Sequence, residues 1–176
     1  MANLKRNSEL TMRRLAGALA IGVAVILVAL YWADRLHRLA VGASLVGTSL
    51  ILEAQPAAVA AVALGFPPLS GAAISILANL APLPFIWIGL DELLPRWPWA
   101  ARKVLRARAT AERYGRYGVL VFIPLAPFFG AYASIAIGHS LGFRPSSTFW
   151  ATFAAMVWSV VAITYGGDWV AHLFVR

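Results

Sequence analysis

The sequence contains no cysteine. That excludes disulfides, thiolate nucleophiles and cysteine-ligated metals. Charge is scarce as well: 12% of the 176 residues are Asp, Glu, Lys or Arg, with seven acidic against fifteen basic. A typical soluble domain carries about 25% charged residues. Catalytic signatures are also missing. There is no G-x-S-x-G, no phosphate-cradling glycine loop and no nucleophile set beside a base, and Ser140 merely follows His139. The chain is therefore not expected to be an enzyme. No pair of His or carboxylates has metal-ligand spacing, so neither a metal nor a cofactor is expected. No nucleic-acid motif accompanies the net charge of +8. The basic excess is read as facing anionic lipid headgroups.

What is abundant is apolar side chain, at 61% of residues and a mean hydropathy of +0.76. A chain of this length cannot hide so much in a soluble core. The expected class is a single-domain, all-α integral membrane protein.

Residues 1–14 hold Lys5, Arg6, Arg13 and Arg14, and an apolar run from Leu15 to Ala33 follows. No A-x-A-like site closes the run; "YWADRLHR" does, with interfacial Tyr31 and Trp32. A retained transmembrane helix over 15–33 is expected rather than a cleaved signal. Residues 39–90 are apolar and far too long for one crossing. The arm "LAVGASLVGTSLIL" has 14 residues, short for a span, and the charged Glu53 and helix-breaking Pro56 follow it. A hairpin entering and leaving one face is predicted, then a span bearing Asn79, Pro82 and Pro84.

Residues 91–116 form the strongly charged segment. Arg102, Lys103, Arg106, Arg108, Arg113 and Arg116 read as an interfacial helix touching anionic headgroups. The positive-inside rule places it, and the N-terminus, in the cytoplasm. Residues 117–166 repeat the layout: an apolar stretch broken by Pro124, Pro127 and Gly130, then a span. Residues 167–176 form a short tail. The crossing count requires the hairpins to enter from opposite faces, an inverted-topology repeat. Irregular backbone at membrane depth is tolerated only beside protein or a water-filled cavity. The two hairpin tips are therefore expected to face each other across a polar pocket.

Two blocks resemble a known family. "LEAQPAAVAAVALGFPPLSGAAISILANLAPLPFI" is similar to the first block of the bacterial small multidrug export proteins, with its acidic residue, proline-bearing turn and Asn-x-x-Pro-x-Pro element. "RYGVLVFIPLAPFFGAYASIAIGHSLGF" resembles the second block. The layout is also similar to the wider DedA-like (VTT-domain) proteins. The resemblance implies a multi-pass protein of the bacterial inner membrane that translocates an amphiphilic or lipid-like substrate. Gln55 stands where the family usually carries Arg, and "FIPLAPFFGAY" has no Arg where many DedA-like proteins place one. Those departures ground a second reading, a non-transporting subunit of a larger complex using Phe149, Trp150, Phe153 and Trp158 for contact. As a transporter, the small chain is expected to form a homo-oligomer.

Glu53 is the only carboxylate deep in an apolar segment, and such acids mark functional sites. It can bind a coupling proton or a cationic group. Its alternatives are snorkelling to the interface or pairing with Gln55 or a backbone amide. Asn79 either lines the pocket or bonds an opened backbone turn near Pro82. His139 is a candidate proton relay, or a packing residue. Asp91 and Glu92 are expected in solvated ion pairs near the Arg-rich segment.

Overall fold

The computed structural model describes residues 2–93 and 115–174. Every regular element among them is helical. Helix α1 (Ala2–Arg35) absorbs the first apolar run and extends well beyond 15–33. His37, at φ 56°, turns the chain into α2 (Leu39–Leu52). Glu53 interrupts the path before α3 (Ala54–Ala63). Then follow α4 (Pro68–Leu80) and α5 (Leu83–Leu93). A short 3-10 helix (Gly115–Val121) leads into α6 (Phe122–Phe129), and Gly130 separates it from α7 (Ala131–Ser140). The last helix, α8, runs Pro145–Phe174, so the tail expected from residue 167 continues the helix.

Among the described residues, three segments are long and apolar enough to cross a membrane: Glu9–Arg35, Pro68–Glu92 and Pro145–Gly167. The second is α4 plus α5, jointed at Ala81–Pro82. Neither Pro82 nor Pro84 has an amide N–H, so the helical ladder lapses at this joint. Here α1 comes very close: a Cβ on Gly22 would lie 2.7 Å from the Ala81 carbonyl oxygen, so only glycine fits.

The remaining helices are too short to span. At 1.5 Å per residue, the 14 residues of α2 reach about 21 Å against a hydrocarbon core of about 30 Å. α3 folds back on α2. Arg38, before α2, donates through Nη1 to the carbonyls of Leu64 (2.9 Å) and Gly65 (2.8 Å), just past α3. Its guanidinium also lies over the Phe66 ring at 5.5 Å. The start of α2 and the end of α3 therefore share one end of the molecule. At the other end, Thr11 of α1 donates to Glu92 of α5 (2.6 Å), and His139 of α7 pairs with Asp91 of α5 (2.7 Å). There the Phe122 ring, opening α6, meets Phe143, just past α7, at 6.2 Å.

Small residues allow this packing. One buried cluster joins α1 to α4 around Ala29, Ala33, Leu45, Ala57 and Ile74. A second joins α3, α4, α5, α7 and α8 around Ala58, Leu83, Ile135, Met156 and Val160. Large apolar side chains point outward instead, including Leu19, Leu27, Ile51 and Leu69, as lipid-facing positions do. The basic residues Arg102, Lys103, Arg106, Arg108 and Arg113 lie outside the described residues, as does the side chain of Arg116.

Candidate functional site: two helix breaks in contact

Glu53 and Gly130 break their helices in the same way. Glu53 has φ 72° and ψ 179°; Gly130 has φ 83° and ψ 168°. Glycine adopts this region freely. A side-chain-bearing residue is strained there by about 1–3 kcal/mol, and such strain clusters at functional sites. The break lies at Glu53 rather than at Pro56, which occupies the first turn of α3, where a missing N–H is harmless. Likewise Pro124 and Pro127 lie within α6, and the break falls at Gly130.

The two breaks touch. The amide of Ala131 donates to Glu53 Oε2 at 2.5 Å. A side chain from one half thus caps helix α7 of the other. The α7 N-terminus carries exposed N–H groups and partial positive charge, a favourable seat for a carboxylate. Gly130 is doubly constrained here. Beyond its φ, a Cβ would fall 1.8 Å from Glu53 Oε2.

The orphan carbonyls that end α2 are met by side chains from both halves. Asn79 Nδ2 donates to the Ser49 carbonyl at 3.3 Å. The Tyr132 hydroxyl lies 3.2 Å from the Leu50 carbonyl and 3.5 Å from that of Ser49. Ser49 itself donates to the Ser75 carbonyl at 2.6 Å. Asn79 thus serves an opened backbone, but at the end of α2 rather than near Pro82. Its Oδ1 and the hydroxyl of Ser75, one turn earlier on α4, are buried without partners among the described residues. Gln55 reaches the other way, its Nε2 3.5 Å from the Ser159 hydroxyl of α8.

In α6, Pro127 has no N–H for the Ile123 carbonyl four residues back. The Trp158 indole of α8 donates to that carbonyl at 3.2 Å. Ser134 donates to the Gly130 carbonyl at 2.7 Å. The breaks at Glu53, Pro127 and Gly130 therefore have side-chain partners for backbone groups that would otherwise be left open.

Of the sequence-predicted residues, Glu53, Gln55, Asn79 and Gly130 gather around these breaks. His139 does not. It sits in the last turn of α7, eight residues and about 12 Å from Ala131, beside Asp91. Asp91 pairs with this histidine, and the Arg-rich segment near which it was expected lies outside the described residues. Tyr132 and Ser49 were not singled out from sequence, and Trp158 was expected only as an outward contact residue, not as a donor to the Ile123 carbonyl. A tyrosine two positions past an isolated glycine was the available signal for the first. Among the described residues, no group of three His, Cys, Asp or Glu side chains could hold a metal ion.

A family model described as "Putative small multi-drug export protein" matches residues 53–162. The match starts at Glu53, ends within α8 and covers well over half of the chain. The chain belongs to this small multidrug export family. With three helices able to cross a bilayer, this member is a multi-pass membrane protein. Its family description is that of an exporter. None of the curated proteins and none of the solved structures matches the chain.

Proposed function

We propose that this chain is a small transporter of an amphiphilic or lipid-like substrate, with Glu53 as its coupling acid. The observation that carries the reading is the Glu53 carboxylate on the Ala131 amide, a contact between two helix breaks from different halves. In this reading α2–α3 and α6–α7 are re-entrant hairpins from opposite faces, and the halves form an inverted repeat. The ionised carboxylate holds the tips together and closes the path. Protonation removes the charge that favours the α7 N-terminus and weakens the tie, so the tips part. Gln55 and Asn79 line the opening. The N-terminus and the basic segment lie on the cytoplasmic face of an inner membrane, where Arg102 to Arg116 hold anionic headgroups.

The test is export in proteoliposomes under an imposed pH gradient. Glu53→Gln keeps a hydrogen-bond acceptor but cannot ionise. It is expected to insert normally and to lose proton-driven export. Undiminished export by this variant removes Glu53 from the mechanism.

The second reading, an accessory subunit without transport, is favoured by one observation. Trp150 and Trp158 are 63% and 51% exposed on α8, and Trp150 flanks the stacked Phe149–Phe153 pair. Purification in mild detergent separates the two readings. A homo-oligomer with bound lipid supports the transporter; a fixed-stoichiometry hetero-complex supports the subunit.

A further inference from the structure

Two cavities adjoin along the seam of α5, α7 and α8, away from the Glu53 site. The first holds about 420 Å³ and is lined by Trp87, Asp91, His139, Phe143 and Pro145 among others. The second holds about 300 Å³, between Trp87, Ile135, Pro145, Phe149 and Trp150. Trp87 and Pro145 are common to both, so the cavities make one groove.

Its chemistry changes along its length. At one end is the Asp91 carboxylate, 60% exposed, whose Oδ1 lies 2.7 Å from His139 Nε2. The Trp87 ring stands edge-on to His139 with centroids 5.0 Å apart. His139 is nine-tenths buried, and its Nδ1 has no partner among the described residues. The other end presents, among the described residues, aromatic and aliphatic side chains with Ser146, and no charged one. A carboxylate flanked by Trp and Phe attracts an organic ammonium through charge and ring faces together. It repels an anion.

We propose that this groove binds a single-chain amphiphile with an ammonium head. The head sits at Asp91, between Trp87 and Phe143, and the apolar body runs along Ile135 toward Trp150. The apolar part is at the lower end of ligand-pocket volumes, about 300–1,000 Å³. It accommodates one alkyl or aromatic body, not the paired acyl chains of a bilayer lipid. Asp91 provides the charge and His139 fixes its position. Occupancy here can be read whether or not the protein transports, so this proposal and the coupling role of Glu53 fail independently.

The experiment is a titration of the full-length protein in phosphatidylcholine nanodiscs with dodecyltrimethylammonium, against dodecyl sulfate, with empty discs subtracted. Saturable binding of the ammonium compound and none of the sulfate is expected. Asp91→Asn should weaken it roughly fivefold, the scale of a partly exposed ion pair. Ser146→Trp, at an exposed position on the wall of the apolar cavity, should weaken it without touching the carboxylate. Equal binding of both head charges overturns the proposal, as does unchanged binding in both variants. Suppression in phosphatidylethanolamine discs makes a bilayer lipid the occupant and overturns the single-chain assignment.

Discussion

Glu53 carries an unusual load for one side chain. It takes a backbone conformation that glycine prefers, ends α2, and caps α7 across the interface between halves. Its partner position admits no side chain. Gly130→Ala combines a positive φ with a Cβ inside the Glu53 carboxylate, and should lose at least about 2 kcal/mol in a detergent unfolding titration. A smaller loss would show that the tips are not in contact. Asn79→Leu leaves the Ser49 carbonyl with only the longer contact from the Tyr132 hydroxyl, and should cost about 1 kcal/mol. Tyr132→Phe removes the hydroxyl at Leu50 and costs about 1 kcal/mol. Because both side chains serve the same helix end, the double variant should depart from additivity in the same titration.

At the scale of elements, four short helices carry the irregular backbone and three long segments carry the apolar length. The short ones persist because each broken ladder is repaired from a neighbour. The Trp158 indole at the Ile123 carbonyl is the clearest case, since Pro127 created that vacancy. Trp158→Phe should cost about 1–2 kcal/mol, the upper range for hydrogen bonds between membrane helices. In a Pro127→Ala background an amide N–H returns to the Ile123 carbonyl, so the same substitution should cost clearly less. Equal costs in both backgrounds would detach the indole from the proline. Clustered proline and glycine announced that the ladders break. Gly130 located one bend, but Pro56 and Pro124 located none: both sit in first turns, where proline is harmless, and the other bend falls on Glu53.

The whole molecule has an Arg38 end and an Asp91 end, joined by three helices of spanning length. A single cysteine at Leu64 and one at Arg144 should react with a membrane-impermeant thiol reagent from opposite faces. The absence of native cysteine makes each label unambiguous. Labelling of both from one face would sink the proposed membrane orientation. Length, hydropathy and the positions of Pro82 and Gly130 determined by themselves the membrane class, the long apolar helices and two of the places where regular structure gives way, because those follow from local chain chemistry and the thickness of a bilayer. Only the tertiary structure decided which side chains answer which broken backbone: Glu53 on Ala131, Asn79 and Tyr132 on α2, Trp158 on Ile123, His139 on Asp91. Those partners lie 30 to 83 positions apart and on different elements. A sequence pattern lists unsatisfied groups, but only packing brings the groups that satisfy them within hydrogen-bonding distance.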